Sequence, residues 1–227
     1  MKIGILQTGH APDAMRPDTG DYADLFKQLL GDQGFEFETY DVVDMQFPAD
    51  VHAADGWLLT GSKHGAYEDH PFIAPLEIFI RDAYAAGAPM VGICFGHQII
   101  AQALGGRVEK FTGGWAVGRQ TYDWQGDTVA LNAWHQDQVT QRPDGAQIVA
   151  TNDFCENAAL VYGDRIFTVQ AHPEFENAFT KRLGDERGEG VVPDPLLTAA
   201  RAAATMPIDN HRIADQMTRF FKTRSLT

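Results

Sequence analysis

The sequence predicts an α/β fold: a mostly parallel central sheet flanked by helices, with an additional smaller antiparallel sheet. Three observations carry this. Through the first half, short apolar runs alternate with helical patterns, the rhythm of βαβ units. Each run is short and apolar throughout, as in strands covered on both faces. After Gly105-Gly106 the helical patterns give way to strands separated by turns.

Lys2 to Gln7 is the first predicted strand, followed by an amphipathic stretch from Tyr22 to Gln33 and a second strand from Phe35 to Asp41. Gly56-Trp57-Leu58-Leu59-Thr60 forms the third, stopped by Gly61-Ser62. A helix from about Ile73 to Ala86 leads to the fourth, Pro89 to Ile93. A helix from His97 to Leu104 is then ended by Gly105. The later strands are placed at 107–110, 118–123, 128–132, 146–151, 159–162 and 166–170, with Tyr162-Gly163-Asp164-Arg165 as a hairpin turn. Gly184 to Asp194, rich in glycine and charge, reads as a loop. Ile213, Met217, Phe220 and Phe221 recur at helical spacing within Asp209 to Lys222, which predicts a terminal helix on the sheet. No repeat, low-complexity tract or linker divides the chain, so a single domain over 1–227 is expected.

A hydrophobic content of 44% over 227 residues is enough for a sizeable core. The formal net charge of −13, with no dense lysine or arginine cluster, disfavours nucleic acid and anionic membrane surfaces as partners. The first apolar run is too short for a signal-peptide core or a membrane span, and no later run reaches membrane length. Cys94 and Cys155 form no CxxC or Cys-His metal spacing. These features predict a cytoplasmic protein with free thiols, and they indicate neither a disulfide framework nor a structural zinc.

Gly92-Ile93-Cys94-Phe95-Gly96 has the G-x-nucleophile-x-G form of a sharp strand-to-helix turn, and it stands between a predicted strand and a predicted helix. Small residues on both sides let the backbone turn and project the central side chain from the top of the sheet. A cysteine there meets the N-terminus of a helix, where unpaired N–H groups and the helix dipole favour the thiolate. Cys155, in Asp153-Phe154-Cys155-Glu156, reads as a buried structural cysteine. A thiolate nucleophile needs a base, and the base needs a group that fixes its tautomer. Gln170-Ala171-His172-Pro173-Glu174 supplies both: the preceding strand delivers His172 at its end, and Glu174 can curve back to the imidazole.

With these residues in view, the sequence resembles the class-I, triad-type glutamine amidotransferase family. The resemblance rests on Pro89 to Gln98, on His172-Pro173-Glu174 and on the Thr60-Gly61-Ser62 turn. It is nearest to free-standing members related to the glutaminase domain of GMP synthetase, which share Tyr67-Glu68-Asp69, Ala103 to Gly106, Trp134 to Val139 and Asp209-Asn210-His211. Plant γ-glutamyl peptidases resemble the same subgroup. The resemblance implies a flavodoxin-like class-I glutaminase fold and catalysis by Cys94, His172 and Glu174. It also implies an oxyanion hole from backbone at Gly61, Ser62 and Phe95, and substrate contacts by Gln98, His135, Gln136 and Asp137. The implied substrate is glutamine or a γ-glutamyl compound, and no cofactor is called for.

Two departures stand out. Relatives often carry a serine before the His-x-Asp segment and a proline soon after Gly-Ser; here Trp134 and Ser62-Lys63-His64 occupy those places. Trp134 either lines a pocket for something bulkier than glutamine or packs the second sheet. Lys63 and His64 either meet a substrate carboxylate or, the preferred reading, are solvated loop residues, and His10, His52, His70 and His211 read as surface or capping residues. Three functions stay open: an amidotransferase subunit that delivers ammonia to a separate synthetase, a stand-alone γ-glutamyl peptidase or hydrolase, and a catalytically silent binding protein.

Overall fold

The structure is a computed structural model describing residues 1–226. Its first half runs β1 (Lys2–Leu6), α1 (Arg16–Thr19), α2 (Tyr22–Leu30), β2 (Glu36–Tyr40), β3 (Gly56–Leu59), α3 (Ile73–Ala86), β4 (Met90–Ile93) and α4 (Phe95–Ala103). Beyond Gly106 come β5 (Arg107–Lys110), β6 (Ala116–Trp124), β7 (Asp127–His135), β8 (Asp137–Gln141), β9 (Gln147–Thr151), β10 (Ala159–Tyr162) and β11 (Ile166–Val169). Three helices follow: α5 (Asn177–Arg187), α6 (Asp194–Ala203) and α7 (Asn210–Thr223).

One nine-stranded sheet has the order β2-β1-β3-β4-β11-β10-β9-β6-β7. The five strands from β2 to β11 are mutually parallel, as the apolar runs predict, and the remaining four continue the sheet antiparallel. The separate small antiparallel sheet is the pair β5–β8. Side chains alternate between the two faces. Ile3, Ile5, Leu58, Val91 and Ile93 pack toward α2 and α7, whereas Leu6, Trp57, Leu59 and Met90 pack toward α3 and α4. Gly4 is required by its neighbour: a Cβ there would lie 2.1 Å from the Trp57 ring.

Helix ends explain several boundaries. Asp21 caps α2, accepting a hydrogen bond from the Tyr22 N–H, while the Asp24 carboxylate accepts one from the Asp21 N–H, a capping box built from two aspartates. Gly87, at φ 72°, ends α3 in the left-handed conformation. The β6–β7 hairpin turns through Gln125 and Gly126, both at positive φ (55° and 95°), and its strands run longer than the predicted 118–123 and 128–132.

The predicted loop at 184–194 is corrected. Residues 184–187 are the last turn of α5, and Asp194 already begins α6, leaving 188–193 as the connection. Gly184 does not break the helix because it is buried, with its Cβ position 3.7 Å from the Trp134 ring and 3.8 Å from Leu197. Helix α6 has no counterpart among the predicted elements. It meets the sheet through Leu197, which packs with Val117, and through Ala200, where Gly118 of β6 lets it approach until a Cβ would stand 2.5 Å from Ala200 Cβ.

Candidate active site

Strand β1 lies between β2 and β3, so the chain reverses its direction of growth across the sheet there, and the C-terminal ends of β1, β3, β4 and β11 open on one crevice. Cys94 follows β4 directly, at φ 53° and ψ −102°. Such a positive φ is costly for a side-chain-bearing residue and requires support from its surroundings. The support is visible. The Cys94 N–H donates to the Val169 carbonyl (2.9 Å), and its own carbonyl accepts from the Gln98 N–H (3.1 Å), starting α4. Both flanking glycines are obligatory, since a Cβ on Gly92 would fall 2.6 Å from the Gly96 carbonyl oxygen and one on Gly96 would fall 2.4 Å from the Leu59 carbonyl oxygen.

His172 lies just past β11, held by a hydrogen bond from its N–H to the Asn132 carbonyl (2.8 Å) on β7. Its Nδ1 is 2.7 Å from Glu174 Oε1, and both side chains are almost completely buried. With Nδ1 committed to the carboxylate, Nε2 is the nitrogen left for Cys94. The Phe175 ring stacks flat on the imidazole, with centroids 3.9 Å apart and planes 2° from parallel, and the Tyr22 ring packs behind Phe175 at 6.0 Å. Burial alone would lower the pKa of His172. The charges of Glu174 and Cys94, together with hydrogen bonds to both, overcome that and raise it to about 10. The arrangement therefore favours a protonated imidazole facing the Cys94 side chain.

The Gly61–Ser62 turn faces the same point. A Cβ on Gly61 would lie 2.9 Å from His172 Cε1 and 3.7 Å from Cys94 Cβ. Two threonines fix the turn: the Thr8 N–H donates to Thr60 Oγ1 (3.0 Å), and the Thr8 hydroxyl lies within bonding distance of the Thr60 and Gly61 carbonyls (2.9 and 3.1 Å). Phe95, the first residue of α4, presents one of the helix's leading N–H groups beside Cys94.

A pocket of about 540 Å³ opens above Cys94 and His172. Gln98, His135, Gln136 and Asp137 all line it. The Gln98 side-chain amide is spent on the fold, donating to the Asp137 carbonyl (2.9 Å) and to Gln170 (3.1 Å). His135 Nδ1–H donates to that same Asp137 carbonyl (3.1 Å), so two side chains hold the β7–β8 corner against the pocket. Gln136 is tied to the Phe111 carbonyl (3.3 Å), and the Asp137 carboxylate accepts from the Tyr67 hydroxyl (3.2 Å).

Trp134 lies on β7 of the nine-stranded sheet rather than on the second sheet. It is half-buried, forms one wall of the pocket, meets Trp115 edge-on at 6.2 Å, and packs with the cluster around Val117 and Leu197. Lys63 and His64, for which the sequence left a substrate contact and plain loop solvation open, also stand on the pocket wall. Sequence reasoning missed Tyr22, Trp115, Phe175 and Arg187. Only Phe175 had a local signal, as the aromatic next to Glu174; the others arrive from distant elements. Cys155 is buried as expected, and burial pushes its thiol up to about 12.

Comparison with known proteins adds to this geometry. The family model for glutamine amidotransferase class-I matches residues 20–182. The chain is 32% identical over 172 residues to gamma-glutamyl peptidase 4 of Arabidopsis thaliana, covering 69% of this chain and 68% of that protein. It is 30% identical over 213 residues to the GMP synthase [glutamine-hydrolyzing] of Thermobifida fusca, covering 88% of this chain and 38% of that one. Among solved structures, a glutamine amido transferase from Methylobacillus flagellatus superposes with a TM-score of 0.76 at 20% identity over 99% of this chain and 94% of the other. A glutamine amidotransferase from Thermotoga maritima does so at 0.70 and 22% identity, over 99% and 98%.

Proposed function

Because the chain belongs to the class-I glutamine amidotransferase family, we propose that it is a cysteine hydrolase of γ-glutamyl amides, with γ-glutamyl peptides as its substrates. The observation that carries this is the junction of Cys94, strained on the strand-to-helix turn, with the buried His172–Glu174 pair beneath a pocket of about 540 Å³.

The Cys94 thiolate attacks the γ-carbonyl carbon. The oxyanion that forms is held by backbone N–H groups of Phe95 and the Gly61–Ser62 turn. As the C–N bond breaks, His172 gives its proton to the departing amine, leaving a γ-glutamyl thioester on Cys94. Water enters, His172 takes one of its protons, and the hydroxide equivalent cleaves the thioester to release glutamate and restore the thiolate–imidazolium pair. Glu174 holds the tautomer and orientation of His172. The corner His135-Gln136-Asp137, positioned by Gln98, receives the amino and carboxylate groups of the glutamyl moiety.

The size of the pocket supports a substrate larger than glutamine, since it falls in the range that accommodates drug-sized ligands. Trp115 and Trp134 give it an aromatic wall, and Lys63, Lys110 and Arg187 give it cations for the carboxylates of a peptide leaving group. The likeness to gamma-glutamyl peptidases supports the same reading. A second reading, a glutaminase that passes ammonia to a separate synthetase, is favoured by the match to part of GMP synthase. Two free cysteines suit a reducing compartment such as the cytoplasm, and among the described residues no helix is long and apolar enough to cross a membrane.

Glutamate release from glutathione and ammonia release from glutamine, each measured on the purified chain with Cys94→Ala as control, test the proposal. Faster cleavage of the peptide without any partner is the expected result. Slow turnover of both substrates, restored by an added synthetase, would replace it with the second reading.

A further inference from the structure

We propose that His64, Glu68 and His70 form a binding site for a zinc-class divalent cation at the wall of the candidate active-site pocket. The three residues lie in the connection between β3 and α3, which is folded by successive short turns. The His64 N–H donates to Ser62 Oγ (3.2 Å), the Glu68 N–H to the Gly65 carbonyl (3.1 Å), the His70 N–H to the Glu68 carbonyl (3.1 Å), and the Ile73 N–H to the His70 carbonyl (3.1 Å). These turns bring three side chains to one point. One ligand atom from each lies within 4.8 Å of the other two.

The distances suit a shared ion. His70 Nε2 is 2.8 Å and His64 Nδ1 3.8 Å from the same carboxylate oxygen, Glu68 Oε2. Ligands about 2.0–2.1 Å from a tetrahedral zinc stand about 3.4 Å apart, between those two values. A hydrogen bond between His70 and Glu68 alone would leave the second imidazole no reason to aim at that oxygen. Here the His64 and His70 ring centroids are 4.0 Å apart, and Phe72 backs both rings at 5.8 and 6.0 Å. An apolar backing of this kind restricts ring rotation and favours fixed ligand directions.

Two imidazoles and one carboxylate are the ligands that borderline ions such as zinc prefer, whereas calcium and magnesium call for a set made of oxygens. Three protein ligands also leave a coordination position open. His64 and Glu68 line the pocket, so that position is reachable by a carboxylate of a molecule bound above Cys94. The ion would also tie the Gly61–Ser62 turn to the start of α3, stiffening the backbone that faces the nucleophile.

The test uses full-length Cys94→Ala protein, in which the nucleophile can neither ligate a metal nor turn over substrate, so the result is independent of the proposed hydrolase activity. Zinc is titrated by calorimetry, and cobalt(II) by its visible absorption. One saturable site per chain is expected, without a thiolate charge-transfer band, and with affinity falling at least tenfold in both His70→Ala and Glu68→Gln. His70→Gln gives the same comparison should His70→Ala fail to fold. Absence of saturable binding, equal affinity in all variants, or loss of binding on replacing His172 instead would overturn the assignment.

Discussion

At φ 53°, Cys94 holds a backbone conformation that costs a non-glycine residue about 1–3 kcal/mol, offset by the Val169 and Gln98 hydrogen bonds on either side. What the strain provides is placement: the thiol stands at the head of α4 and opposite His172. Cys94→Ala is accordingly expected to abolish turnover, by about 10³-fold or more, with circular dichroism and melting temperature essentially kept. Glu174→Gln retains a hydrogen-bond acceptor for Nδ1–H but loses the charge that helps hold His172 protonated. It should lower kcat by about 10- to 100-fold, an orienting rather than an essential role, as read from steady-state kinetics. The protonation of His172 can be followed directly. Its raised value of about 10 depends partly on Cys94, so NMR titration of the imidazole should show it charged at pH 8 in the intact chain and titrating lower in Cys94→Ala. An unchanged midpoint would mean that the two side chains do not interact. A base whose folded pKa exceeds its unfolded one adds stability that is full below about 6.5 and lost as pH rises toward 10, so the imidazolium's share of stability disappears on the alkaline side.

Among the elements, the β4–α4 turn was the most legible in sequence, because everything it needs is local: an apolar strand, two glycines around a cysteine, and a helix. Its tolerance is correspondingly narrow. Gly96→Ala would put a Cβ 2.4 Å from the Leu59 carbonyl oxygen, and the backbone must move to relieve it. A loss of about 1–3 kcal/mol with a disproportionate fall in kcat is expected, measured by urea unfolding and kinetics together. A variant that melts and turns over like the parent would show that the close approach to β3 is not needed. Other features of the site were not legible, because they join residues far apart in the chain. Thr8 meets Thr60 across two parallel strands, Tyr22 reaches Phe175 from the first long helix, and Asn132 fixes His172 from β7. Helix α6 was hidden for a different reason: Leu197 is its one fully buried side chain, too little to mark a helical period in an alanine-rich stretch, and the room that Gly118 makes for Ala200 lies far away in sequence. The Gly184 region read as a loop by composition, whereas burial beneath Trp134 keeps it helical.

Over the whole molecule, the strand order does what no single motif could. It places the ends of β1, β3, β4 and β11 side by side, so residues from four separate segments share one crevice. The parallel half of that order was foreseeable from apolar runs alternating with helices. That four antiparallel strands extend the same sheet was not, since alternation within a strand does not identify its neighbour. The core also buries two histidines near the site. Burial and the His135 charge lower His97 to about 3, and burial, with the His172 charge, lowers His135 to about 4. Both stay neutral in the folded state while their unfolded counterparts take up protons below about 6.5, so stability is full above that value and falls as the solution is acidified. Each approaches a slope of about 1.4 kcal/mol per pH unit below 6.5, which integrates to roughly 3 kcal/mol for the pair between pH 6.5 and 5. Chemical denaturation across this range should show the decline. His97→Asn should remove about half of the slope, whatever it does to stability at pH 7; an unchanged slope would place His97 outside the effect.

The central claim is that Cys94 forms a covalent γ-glutamyl thioester, and the most direct measurement is mass spectrometry of acid-quenched enzyme taken during turnover of glutathione. A mass increase of one γ-glutamyl group, located on the Cys94 peptide and absent from Cys94→Ala, is the predicted result. Steady glutamate release with no such adduct on the intact chain, or with Cys94→Ala as active as the parent, would contradict the account.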